Sequence, residues 1–227
     1  THPAFPADEF ENMLETQTGF QVLPNRLQGR LDGHDGSVNL ENGIAGTCTW
    51  DVSFDITSGY GADDKQRSTA GWLSYYPVFE PHWQITIADG RANGTIVWNG
   101  EAIKFSNAPL YCEKNWGGTF PKKWHWLQCN SFGPNEELSV TAVGAIRSLP
   151  LGKEEDVGLV TIHYNGTFYE AVPWLGSVSW SVDPWGLWVY RARCINSDGG
   201  GTASPFEVEV VANCTDEAGG GLRAPTK

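Results

Sequence analysis

From Cys48 the chain takes up a period of two: Cys48, Trp50, Val52, Phe54 and Ile56 alternate with Thr49, Asp51, Ser53 and Asp55. Alternation of this kind puts every apolar side chain on one face of an extended segment, whereas a helix would scatter them around its axis. The run therefore demands a sheet with one covered face. Further strand candidates are HWQITIA, TIVWN, EAIKFS, WHWLQCNSF, ELSVTAVGAI, VGLVTIHY, TFYEAV, SVSWSV, LWVYRARCI and FEVEVVA. The pairs Asp89-Gly90, Asn99-Gly100 and Asn165-Gly166 are favourable for tight hairpin loops. Only residues 6 to 14, PADEFENML, carry a helical signal, with proline and acids first and Phe10, Met13 and Leu14 on one face. Many short strands and almost no helix predict an all-β antiparallel sandwich or barrel. The polar stretch from Gly59 to Thr69 is expected to be a long loop or a boundary between two sheets.

Length and charge narrow the function. The chain has 227 residues, enough for one sizeable core. Its formal net charge of -12 argues against nucleic acid, which needs a basic patch to neutralise phosphates. No apolar run approaches the roughly 18 residues of a membrane-spanning helix. Acidity disfavours capture by anionic headgroups, yet leaves room for peripheral membrane association through a hydrophobic ligand or partners. The opening THPAFPADEF lacks the basic start and apolar run of a secretory signal. Cys48, Cys112, Cys129, Cys194 and Cys214 form an odd set without CxxC spacing, so neither a zinc knuckle nor a dense disulfide framework is expected. Sequons begin at Asn93, Asn165 and Asn213, in a composition where such triplets arise by chance.

Tryptophan is concentrated in three segments. In residues 70 to 85, AGWLSYYPVFEPHWQI, the rings of Trp72, Tyr75, Tyr76, Phe79 and Trp83 surround Glu80 and His82. These rings serve equally as core and rim; alternatively, Glu80 and His82 face an apolar cavity, where burial would keep a carboxyl protonated and able to donate. In residues 111 to 132, YCEKNWGGTFPKKWHWLQCNSF, the group Glu113, Lys114 and Asn115 precedes Trp116, and Trp124 and Trp126 share one side of a strand with His125 on the other. A charged turn would explain the polar residues, but indole N–H groups seek partners, as they find when lining a ligand cavity or a sheet interface. The third segment carries Trp174, Trp180, Trp185, Trp188 and Tyr190, with Asp183 before Pro184 read as a turn cap or a ligand contact. GxSxG, HxH, HExxH and phosphate-loop spacings are absent, so serine-triad, metal and nucleotide chemistry lack support, and no metal or cofactor is expected.

The stretches STAGWLSYYPVFEPHWQI, APLYCEKNWGGTFPKKWHWLQCNSF, YEAVPW, DPWGLWVY and DEAGGGLRAPT resemble the tocopherol cyclase family of photosynthetic organisms, in the same order and at similar spacing. The similarity covers roughly residues 8 to 226 and is weakest over residues 27 to 65. It implies a lipocalin-like fold of two β domains, with residues 1–69 completing or bridging the first and residues 70–227 forming the main antiparallel domain. Family members are longer, so the sequence is expected to be a central portion, incomplete at both ends. The resemblance further implies a chloroplast or other plastid location at thylakoids or plastoglobules. It also implies vitamin E biosynthesis through an isomerase that closes a prenylated methyl-hydroquinone to a chromanol, with no cofactor.

That reaction needs a proton delivered to an alkene carbon, a tertiary cation shielded from water and a phenolic oxygen held close. Glu113 or Glu80 is the expected acid. His82, Tyr76 and Asn115 are candidates for holding the phenol. Trp72, Trp83, Trp116, Trp124, Trp126 and Asp183 complete the expected ligand surroundings, and the ligand is a prenylquinol or other lipid-like molecule. A second expectation, from another class, is a non-catalytic subunit of a thylakoid complex, a photosystem or antenna assembly. A third is a sugar-binding sandwich whose exposed tryptophans stack on carbohydrate.

Overall fold

A computed structural model describes residues 6–32, 46–62, 66–76, 81–118, 120–133, 137–148, 152–183, 186–196 and 204–213. Among these the chain is all-β and lipocalin-like, with twelve strands and one short helix, α1 (Ala7–Leu14). The strands are β1 (Gly19–Leu23), β2 (Arg26–Asp32), β3 (Thr47–Ser58), β4 (His82–Trp98), β5 (Glu101–Trp116), β6 (Lys123–Cys129), β7 (Leu138–Ser148), β8 (Glu154–Tyr164), β9 (Thr167–Ala171), β10 (Ser177–Val182), β11 (Leu187–Asn196) and β12 (Phe206–Asn213). One sheet has the order β1-β2-β3-β4-β5; the other has β10-β11-β9-β8-β7-β6, with β12 paired to β11. By contacts the chain divides into two compact units, residues 1–57 with 89–110 and residues 58–88 with 111–227.

In the first unit, α1 begins after Pro6 with Asp8 and Glu9 in its first turn, where carboxylates complement the helix dipole. Phe10 and Leu14 are buried, as the spacing predicts. At the other end Arg30 Nη1 donates to the carbonyls of Leu14 and Glu15 at 3.1 and 2.8 Å, satisfying groups that the helix leaves unpaired. The alternating run from Cys48 lies in β3, opposite β2, with Val52 on Leu27 and Trp50 on Gly29. A Cβ at Gly29 would stand 2.0 Å from the Trp50 ring, so the absent side chain is what lets the indole lie across β2.

Several expectations change in detail. Asn99-Gly100 and Asn165-Gly166 do turn the chain, with φ of 51° and 85° and of 47° and 73°. Asp89-Gly90 does not: β4 runs through it, and Arg91 reaches back to Asp89 Oδ1 at 2.8 Å. HWQITIA and TIVWN are therefore one strand. A further 3-10 turn, Gly71–Tyr75, falls between the expected loop and the strand HWQITIA, where no element was expected, and β1 and β2 have no counterpart among the predicted strands.

In the second unit, both faces of the middle of β7, β8 and β9 are buried. One face contributes Val140, Ala142, Val160, Ile162 and Ala171 to a core completed by Tyr190, Ala192 and Cys194 of β11. The opposite face is more polar. There Gln128, Thr141, Thr161 and Glu170 stand opposite one another across four strands, and Thr141, Thr161 and Glu170 are all buried. Tyr60, Ala62, Ile85 and Ala88 pack with Phe168 into a second cluster, flanked by Trp83 and Tyr111.

Candidate functional site

Alternation along β5 sorts the sequence-predicted residues onto two faces. Tyr111, Glu113 and Asn115 share one face; Lys114 and Trp116 share the other. From the start of β4, Trp83 joins the Glu113 face, and His82 joins Trp116, stacked at 5.3 Å between ring centroids and 13° between planes. Lys114 Nζ lies 5.5 Å from the Trp116 centroid, a cation–π contact. Its ammonium is thus spent on the indole.

Glu113 is the centre of the first face. Its Oε2 accepts from Trp83 Nε1 and from the Tyr111 hydroxyl, each at 2.7 Å, and its Oε1 accepts from Asn115 Nδ2 at 3.1 Å. Trp126 and the buried Thr141 stand beside the Tyr111 phenol. Burial first, and then the bond to Glu113, raise the Tyr111 pKa well above the usual phenol range. Tyr111 therefore stays neutral and keeps donating. The Tyr111 and Trp126 rings lie 5.6 Å apart, so a second indole packs on the phenol that serves the carboxyl group.

The remaining candidates fall elsewhere. Trp124 shares the Trp126 side of β6 but is 59% exposed and rests against Phe120 at 6.3 Å. Trp72 and Tyr76 meet at 5.7 Å, and Trp72 meets Trp174 at 6.3 Å. This group forms at the 3-10 turn, where Gly71 has φ of 53° and a Cβ would crowd the Trp174 ring. Asp183 closes the β10–β11 turn: its N–H donates to Leu187 O at 3.2 Å and its carbonyl accepts from Gly186 N–H at 2.9 Å. Glu80 lies outside the described residues.

Sequence reasoning missed Tyr111 and Thr141, and it missed a second buried acid. Glu170, 6% exposed, accepts from the Tyr60 hydroxyl at 2.9 Å and pairs with Arg67 Nη2 at 3.2 Å. Burial and then Glu170 push the Tyr60 phenol well above its ordinary value. Amide side chains tie Gln66 and Arg67 to β4: Gln66 Nε2 donates to Ile85 O at 2.6 Å, and Gln84 Nε2 to Arg67 O at 2.9 Å. Position two before Glu113 in an alternating strand was the available signal for Tyr111.

Fold and site define an all-β, lipocalin-like protein carrying a carboxyl group walled by aromatic rings and served by three side-chain donors. The sequence profile of the family described as Tocopherol cyclase-like matches residues 2–227, and the chain belongs to that family. It is 46% identical over 224 residues to "Tocopherol cyclase, chloroplastic" of Zea mays, covering 97% of this chain and 44% of that protein. It is 45% identical over 225 residues to "Probable tocopherol cyclase, chloroplastic" of Oryza sativa subsp. japonica, covering 97% and 45% respectively. The chain thus spans less than half the length of these curated relatives. Both are named chloroplastic, which supports a plastid location for this chain. No solved structure matches the chain. Among the described residues, no helix is long and apolar enough to cross a membrane.

Proposed function

We propose that this chain carries the acid of a tocopherol-cyclase-type reaction, closure of a prenylated methyl-hydroquinone to a chromanol, and that Glu113 is that acid. The observation that supports it is the environment of one carboxyl group: two donors on Oε2 from Trp83 and Tyr111, one amide at Oε1, and Trp126 packed on the Tyr111 ring.

With Oε2 taken by Trp83 and Tyr111, Oε1 is the oxygen that carries the mobile proton. Asn115 accommodates this by presenting its carbonyl instead of its NH2 to a protonated Oε1. The O–H bond breaks as its proton goes to the less substituted alkene carbon, leaving a tertiary cation. Indole and phenol faces stabilise that cation without adding to it. The phenolic oxygen of the same substrate then forms the C–O bond, and its proton returns to Oε1. No electrons are exchanged with the protein, and substrate and product are isomers. Trp83 and Tyr111 contribute as the proton leaves, since their donors meet the charge that develops on the carboxylate.

His82 and Trp116, on the opposite face of β5, take no part in this step. The substrate is a lipophilic prenylquinol, and the exposed rings of Phe120 and Trp124 suit peripheral contact with the lipid that supplies it. The test is Glu113→Gln in the intact protein, which keeps shape and hydrogen bonding but removes the transferable proton. Turnover should fall at least roughly 100-fold with an unchanged melting profile. An equally active variant would overturn the assignment.

A further inference from the structure

The carboxyl group of Glu113 borders a larger polar face within the second unit. Across β6, β7, β8 and β9, Gln128, Thr141, Thr161 and Glu170 are register partners, so their side chains share one side of the sheet. Trp126 is on that side too, two residues before Gln128, and its ring packs on Tyr111. The donors around Glu113 are committed, since Trp83, Tyr111 and Asn115 all serve its carboxyl group. Farther along the face, Glu170 is held by Tyr60 and Arg67. Gln128 differs. Its Nε2 is buried, yet among the described residues it meets no acceptor. A buried donor without an acceptor costs the folded state and calls for a partner from outside the chain.

The proposed cyclisation leaves a matching demand. A hydroquinone carries hydroxyl groups at opposite ends of its ring, and only one of them enters the chromanol ring. That oxygen must keep a lone pair free to attack the cation near Glu113. The other hydroxyl has no such constraint and needs a site one ring-width away. At about 3.4 Å per strand residue, Gln128 stands about 7 Å along β6 from Trp126, which suits that span. An amide also suits the chemistry. Being uncharged, it holds a hydroxyl without taking its proton, and it does not favour ionisation of Glu113 as a neighbouring ammonium would. The residues expected from sequence to hold the phenol are engaged elsewhere: His82 with Trp116, Tyr76 with Trp72 and Asn115 with Glu113. We propose that Gln128 binds the hydroquinone hydroxyl that stays free in the chromanol, and so fixes which way round the ring enters. The identity of this ligand rests on the cyclisation reading; the uncommitted amide does not.

The experiment separates binding from turnover in the intact protein. The binding probes are a methyl-hydroquinone with a saturated side chain, which cannot cyclise, and the matching monophenol without the non-reacting hydroxyl. By equilibrium dialysis that hydroxyl should tighten binding about tenfold in wild type and not at all in Gln128→Met, which keeps the side-chain length but has no donor. Gln128→Leu replaces this variant if it fails to fold. With the unsaturated substrate, Gln128→Met should cost about tenfold in kcat/KM, with the loss in KM and not in kcat. Equal affinity for the two probes in wild type, or a preference for the hydroquinone that persists in the variant, would overturn the proposal. A lowered melting temperature with that preference intact would mark a purely structural glutamine and overturn it too. Wild-type turnover by Glu113→Gln, beside a preference lost in Gln128→Met, would overturn the acid assignment and leave this proposal standing.

Discussion

Replacing Tyr111 by phenylalanine removes a single oxygen and breaks the bond it donates. The hydroxyl donates to Glu113 Oε2 at 2.7 Å. A hydrogen bond accepted by a carboxylate contributes ~1.5–3 kcal/mol, and Glu113 keeps Trp83 and Asn115 as donors, so the expected destabilisation is that one bond. At roughly 2–4 °C per kcal/mol for a chain of this size, the melting temperature should fall by roughly 3–12 °C. The pH dependence supplies a second readout. Because folding raises the Tyr111 pKa, its stabilisation is complete below the unfolded value of about 10 and is lost as pH rises above it. The gap between wild type and Tyr111→Phe, followed by circular dichroism, should therefore narrow between about pH 10 and 11. Tyr60 titrates in the same direction but is present in both proteins and cancels. Equal melting temperatures at neutral pH, or a gap that holds constant through the alkaline range, would refute the reasoning.

Two other perturbations separate buried from exposed electrostatics. Glu170→Ala leaves Tyr60 and Arg67 without their shared acceptor and should cost ~3–5 kcal/mol in urea denaturation, whereas Glu154→Ala, which breaks the exposed pair with Lys122, should leave the urea midpoint essentially unchanged. Similar costs for the two would contradict the buried pairing. His125, half-buried against Trp180 and Tyr190, has its pKa lowered to about 4 by burial. Its stabilisation is complete above the unfolded value of about 6.5 and is lost as pH falls towards 4, so His125→Gln should flatten the pH profile of the urea midpoint across that window. An equally steep acid limb in the variant would place the titration elsewhere.

Strand content was legible because alternation and turn chemistry are local. Cys48 to Ile56 could be read from period alone, and Asn99-Gly100 from its need for positive φ. Asp89-Gly90 misled because the same dipeptide also sits in a long strand, and register with neighbouring strands decides which conformation is used. β1 and β2 escaped because GFQVL and RLQGRLD mix polar and apolar residues without clean alternation. The site was half legible. Trp83, Glu113 and Asn115 were singled out and do meet, because tryptophan beside an isolated acid is costly unless the two are paired. The separation of His82 and Trp116 from them depends on strand parity, and parity could not be fixed while residues 111 to 116 were read as an approach to a turn instead of the end of a sixteen-residue strand. Thr141 and Glu170 were beyond reach, since their roles come from strands distant in sequence.

The most direct measurement follows the proton itself. Substrate is turned over by the intact protein in D2O, and the chromanol is analysed by mass spectrometry and NMR. Donation from Glu113 to carbon should place one non-exchangeable deuterium per turnover on the carbon next to the newly oxygenated one, and Glu113→Gln should suppress labelled product at least roughly 100-fold. Chromanol formed without deuterium at that carbon, or labelled at the wild-type rate by Glu113→Gln, would contradict the claim that this carboxyl group closes the ring.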